Sequence, residues 1–170
     1  MNKNELNINE WFEQFEHRFE KAVPNIVAET ATEYFKDRFK KSNEDWDKKK
    51  WQKLNPRYAA KKTAGKGRIL TRISALSGSI RPTTVSPQKV TITGGDQNVK
   101  YARIHNEGLR VTGSFKVKRF TNSNFMGTGR AVEIKAHTRN VNFKMPKRQF
   151  MGHSRYLNAI MRTRLIKVFE

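Results

Sequence analysis

The chain contains no cysteine, which excludes disulfides, thiolate nucleophiles and thiolate metal sites. Its four histidines, His17, His105, His137 and His153, are scattered, with no pair at metal-ligand spacing, so neither metal nor cofactor is expected. No stretch approaches the roughly 20 uninterrupted apolar residues of a membrane span, so no membrane partner is expected. The opening Met1-Asn-Lys-Asn-Glu-Leu-Asn lacks the apolar run of a secretory signal, and folding in a cytoplasm is expected. The Gly65-Lys-Gly stretch lacks the Gly-x-x-x-x-Gly-Lys-Ser/Thr spacing of a phosphate-cradling loop. Acidic residues are scarce as well, 15 against 35 Lys and Arg.

That imbalance gives a formal net charge of +20, and it is unevenly spread. Met1 to Phe35 holds three basic and seven acidic residues, whereas the remainder holds 32 basic and eight acidic. An acidic leader therefore precedes a strongly basic body. Such a body repels its own copies and attracts nucleic acid, anionic lipid or an acidic protein surface. At 170 residues the chain suits one ordinary domain.

From Leu6 to about Val23 the residues Ile8, Trp11, Phe12, Phe15, Phe19, Ala22 and Val23 recur three and four apart, marking an amphipathic helix. Glu10, Glu13, Glu16 and Glu20 fill its other face. Pro24 suits a first turn and breaks an interior, so a second helix is expected from Pro24 to Lys41. Its buried stripe would be Ile26, Val27, Ala31, Tyr34, Phe35 and Phe39. Trp46 and Trp51 stand among lysines, a mixture that can stack on bases, although anchoring a loop to the core is the commoner use. A short helix is expected from Pro56 to Lys62 and a helical turn within Ile69–Ile80. The run Ile80–Val85, Ser86-Pro87 and Val90-Thr-Ile-Thr reads as a hairpin. Tyr101–Glu107 reads as one or two helical turns capped by Gly108. Residues 109–146 alternate around a glycine-rich tip, the pattern of an exposed basic two-stranded arm. Ser154 caps a closing helix to Phe169, with Leu157, Ile160, Met161, Leu165 and Val168 as its apolar face.

The expected class is α+β: an antiparallel β-sheet flanked by N-terminal and C-terminal helices, with a long basic β-arm insertion. Residues 1–41 would supply the N-terminal amphipathic helices and 42–170 a single domain, with the arm at 109–146.

Chemistry finds little footing. Most carboxylates lie in the leader, and Asp96, Glu107 and Glu133 are isolated. His105-Asn-Glu has one feature of a His–Asn–His nuclease but lacks the second histidine or carboxylate set needed to hold a metal. No catalytic residue, small-molecule substrate or enzymatic activity is expected.

Three blocks taken in order are more specific. The first is Trp51-Gln-Lys-Leu54-Asn-Pro, then Ile69-Leu-Thr-Arg-Ile-Ser-Ala-Leu76-Ser-Gly-Ser-Ile80. The second is Val90-Thr-Ile-Thr-Gly-Gly, then Tyr101-Ala-Arg-Ile-His105-Asn-Glu-Gly108. The third is Met145-Pro-Lys-Arg148-Gln-Phe150-Met-Gly152 before the last helix. Their order and spacing resemble the phage virion morphogenesis (tail completion) family of Mu-like and P2-like phages, over about Phe35 to Phe169. Ile73-Ser-Ala-Leu stands where that family has Thr-Gly-x-Leu, and Asn106-Glu-Gly stands for Gln-x-Gly-Gly.

The resemblance implies a non-enzymatic protein that completes the tail or joins head to tail. It would assemble with itself as a ring, a hexamer by the family's habit, and with other neck, connector or tail proteins. Assembly in the host bacterial cytoplasm and a place in the virion follow from the same likeness. Residues Arg110, Lys116, Lys118 and Arg119 of the arm would face genomic DNA in the channel or acidic partners. A free, sequence-nonspecific DNA- or RNA-binding protein is the alternative. Without the family, Leu76, Ile80, Val90 and Ile92 would form the apolar face of a sheet. Tyr101, Ile104 and His105 would lie on it, His105 as a hydrogen-bonded core histidine. Phe150 would plug the core, and Arg148 would pair with an acidic group.

Overall fold

Helix formation at the N-terminal end follows the three-and-four spacing of the apolar residues. The computed structural model describes residues 7–40, 44–62, 69–71, 73–123 and 127–170. Helix α1, Ile8–His17, is opened by Asn7, whose side chain accepts from the Glu10 N–H. A π-helical turn, Arg18–Ala22, leads straight into α2, Val23–Lys40. The break expected at Pro24 is therefore a widening of the ladder instead. Proline has no N–H, and its ring presses on the carbonyl four residues back. The wide turn, in which the Val23 N–H reaches the Arg18 carbonyl, accommodates it without ending the helix.

Along α2 the residues Ala28, Ala31, Tyr34, Phe35 and Phe39 are buried at helical spacing, whereas Ile26 and Val27 are only partly covered. Phe39 is the centre of the core: its ring lies 5.5 Å from Trp51 and 5.3 Å from Phe150. Ile69, Leu76, Ile80, Val99, Ala102 and Leu157 complete that cluster. The closing helix α6, Arg155–Phe169, lies against α2 and begins as the sequence implies, with Ser154 accepting from the Tyr156 and Leu157 N–H groups. The Tyr34 hydroxyl bonds both Ser154 Oγ at 3.1 Å and the Trp46 carbonyl at 2.8 Å, tying the cap to the core.

Between these helices come α3, Pro56–Lys61, and α4, Ala75–Gly78. A hairpin follows, β1, Arg81–Ser86, with β2, Lys89–Thr93, its register shifted by a bulge at Thr83. Helix α5, Ala102–Glu107, ends at Gly108 with φ +70°, the left-handed cap that favours glycine. Then β3, Arg110–Val117, pairs antiparallel with β6, His137–Lys144, and β4, Phe120–Asn122, pairs with β5, Val132–Ile134. The class is α+β, with the strands among the described residues grouped as three separate two-stranded sheets. Leu76 and Ile80 are fully buried, but Leu76 sits in α4 and Ile80 in the link to β1, so they serve the core and not a sheet face. Residues 63–68, which include Gly65-Lys-Gly, and 124–126 of the glycine-rich tip lie outside the described residues.

Candidate functional site

The segment Met145–Gly152 has no regular pairing of its own, so its backbone groups find partners elsewhere. The Arg148 N–H donates to the His105 carbonyl at 2.8 Å, and the Met145 N–H to the Leu109 carbonyl. Asn106 Oδ1 accepts from both Phe150 N–H and Met151 N–H, at 3.0 and 3.1 Å. The Gln149 carbonyl receives Trp51 Nε1 at 3.1 Å and the Trp46 N–H at 3.3 Å. Trp51 is buried and Trp46 half-buried, so the loop-anchoring use is the one realised. A Cβ on Gly152 would press into the Trp46 ring, and one on Gly108 into the Lys147 backbone. Both glycines therefore allow close approach of this segment, while Phe150, 1% exposed, fills the core beneath it.

Above the segment opens a groove of about 700 Å³ between α3, the link before α4, and α5. Its walls include Leu54, Tyr58, Ile73 and Tyr101; among the described residues its charged lining is Lys53, Lys62 and Arg148, with no acidic residue. Arg148 is buried, 6% exposed. Among the described residues the acidic partner expected for it is absent. Its guanidinium donates to the Gln52 carbonyl at 3.4 Å, and Nε has no partner among the described residues.

His105 is also only half as expected. Its ring stands edge-on to Tyr101 at 5.9 Å and is partly buried, but Nδ1 has no hydrogen-bond partner among the described residues. Burial, followed by the neighbouring Arg148 charge, holds its pKa below the ordinary 6.5. Burial likewise lowers that of Arg148. A histidine whose folded pKa is depressed contributes its full stability above the unfolded value and loses it as pH falls through 6.5 toward the folded value. Acidification from about pH 7.5 to 5 is thus expected to lower the melting temperature, and His105→Gln to flatten that slope in thermal scans. An unchanged slope in the variant would remove His105 from the account.

Two further surfaces are uncovered. On α1 no residue is buried, and Ile8, Trp11, Phe12, Phe15 and Phe19 are between 42% and 63% exposed. Phe15 stacks on Trp11 within the stripe and meets the far end of α6 at Phe169, with rings 5.5 and 5.3 Å apart. The β3–β6 ribbon is two-faced. Its register puts Val111, Phe115, Val117, Val141 and Phe143, with Arg139 and His137 at one end, on one face and Arg110, Lys116, Lys144 and polar residues on the other. Arg110, Lys116, Lys118 and Arg119 are all exposed. Arg110 is hydrogen-bonded to Asn142, and Arg119 is ion-paired with Glu133.

The structure thus gathers Leu54, Tyr101, His105 and Arg148 at the groove. Trp51, Leu76, Ile80 and Phe150 lie in the core below, Gly108 and Gly152 at close approaches, and the arm cations stand apart. Asn106 was missed: nothing in its sequence context signals that its amide spans two backbone donors 44 and 45 residues away.

Among the described residues, no three His, Cys, Asp or Glu side chains gather to hold a metal. None of their helices is long and apolar enough to cross a membrane. An α+β body with an uncovered aromatic helix, an apolar groove and an amphipathic ribbon belongs to the class of proteins that dock onto others. The chain belongs to the phage virion morphogenesis family, whose model matches residues 7–170. No curated protein and no solved structure matches it. Its role is structural, in bacteriophage virion assembly and among other virion proteins. The match begins at Asn7 and so takes in α1, which the sequence blocks left out.

Proposed function

We propose that the protein completes the tail or joins head to tail as one subunit of a ring, a hexamer, and that it carries out no catalysis. The observation that carries this reading is the exposed aromatic stripe on acidic α1, paired on one chain with a basic body. A patch that complements a different patch of the same molecule makes a heterologous contact, the kind that forms a ring when the rotation between subunits closes. Partners would be further copies and the neighbouring connector or tail proteins, met in the host bacterial cytoplasm before incorporation at the neck or tail end. The ribbon, with one mainly apolar face and one basic and polar face, would reach the next subunit, an acidic partner or the genome in the channel.

Mass by light scattering at about 0.1 to 0.5 M salt tests the reading, since that range moves the screening length across contact distances. The expected result is a discrete ring, alone or on adding connector or tail components. Reversing Glu10, Glu13, Glu16 and Glu20 to lysine is expected to reduce association strongly, with the thermal transition retained. A monomer that ignores those components yet binds nucleic acid with a steep salt dependence would favour the nucleic-acid-binding alternative, for which the basic ribbon face is the observation.

A further inference from the structure

Arg148 is a buried cation without a carboxylate, at the floor of an apolar groove that has no acidic residue in its lining. Such a charge is costly unless something anionic reaches it. His105 beside it also has a ring nitrogen, Nδ1, without a partner. A ligand that fits must offer apolar bulk to Tyr58, Ile73 and Tyr101, and a carboxylate to the floor. Tyr58, Ile73 and Tyr101 are themselves 56%, 80% and 40% exposed, so the walls are as uncovered as the floor is uncompensated.

One segment of this chain has that chemistry. Helix α1 and the π turn after it expose Trp11, Phe12, Phe15 and Phe19 along one stripe. Glu16 is four residues after Phe12 and three before Phe19, which places it at the border of the stripe and not on the far face. We propose that the groove receives α1 of a neighbouring copy, its aromatics seated between Tyr58, Ile73 and Tyr101 and its Glu16 carboxylate on Arg148 and His105. Charge complementarity selects this occupant: four of the chain's 15 acidic residues lie within Glu10–Glu20, and the groove's charged lining among the described residues is wholly basic. The inference rests on the self-assembly reading and names the contact that would build the ring. Each subunit gives one helix and offers one groove, the head-to-tail arrangement that leaves no patch unused on closure.

Absence of native cysteine makes the test clean. Full-length chains carrying Phe12→Cys and, separately, Ile73→Cys, both at exposed positions, are mixed and oxidised, one chain tagged to shift its mass. The expected product is the mixed disulfide dimer, and adding Glu16→Arg to the first chain is expected to lower its yield roughly tenfold or more, the worth of a charge-assisted hydrogen bond. Dimers of the Phe12→Cys chain with itself, in place of the mixed product, would mean that α1 meets α1, and would overturn the proposal. Absence of any cross-link at concentrations where light scattering shows the unmodified chain associated would also overturn it, while leaving the ring intact. If the unmodified chain stays monomeric even with connector and tail components, the self-assembly reading fails and this contact with it.

Discussion

Phe150→Ala is expected to destabilise the chain by about 3–5 kcal/mol, among the larger effects of a single core truncation. The ring is 1% exposed and touches Phe39 at the centre of the core. Removing it loses both the transfer free energy of the aromatic and the contacts that the resulting cavity cannot refill. For a chain of this length that corresponds to a fall in melting temperature of roughly 6–20 °C, read from far-UV circular dichroism. Phe115→Ala provides the comparison: its ring is 49% exposed on the β3–β6 ribbon, and its loss is expected to leave the transition within about 0.5 kcal/mol. Similar shifts in the two variants would mean that Phe150 is not a keystone of the core. The groove depends on the same residue, because Phe150 fixes the stretch from which Arg148 reaches the floor.

Asn106→Ala is the second large effect expected, at about 2–4 kcal/mol. The amide oxygen accepts from two backbone N–H groups at once, and both would be left without an acceptor. Asn106→Asp keeps an acceptor of the same shape and is expected to recover most of the loss. Urea unfolding separates the two outcomes, as a shift in midpoint with the slope unchanged. Equal losses for alanine and aspartate would show that the amide stabilises the fold through something other than these two bonds.

Much of the architecture was legible because it depends on neighbours in sequence. The Ser154 cap, the Gly108 stop, the hairpin around Ser86-Pro87 and the stripe of α2 each follow from residues a few positions apart. The family likeness likewise rested on ordered local blocks. Long-range bonding was not legible. That Trp51 finds the Gln149 carbonyl, or Asn106 the Phe150 backbone, is decided by how distant segments meet, which no local pattern encodes. Arg148 is instructive in the same way. A buried arginine reads as half of an ion pair, yet the described residues give it a carbonyl and no carboxylate. The aromatic spacing of α1 announced an apolar stripe, but spacing cannot say whether anything in the same chain covers it.

The π turn ahead of Pro24 bears on that stripe in a way that composition does not. Continued backward by steps of four and three, the buried line of α2 from Ala28 and Pro24 would run through Glu20, His17, Glu13 and Glu10. In an uninterrupted α-helix the phenylalanines would then point away from the core side. One additional residue in the wide turn rotates everything before it by roughly 100° about the axis, the angular step of a helical residue. The stripe swings toward the side where α6 lies, and Phe15 comes to rest on Phe169. The azimuth of the helix is therefore set by a count of residues: shortening Arg18–Ala22 by one would leave every aromatic in place along the sequence and aim it at a different neighbour.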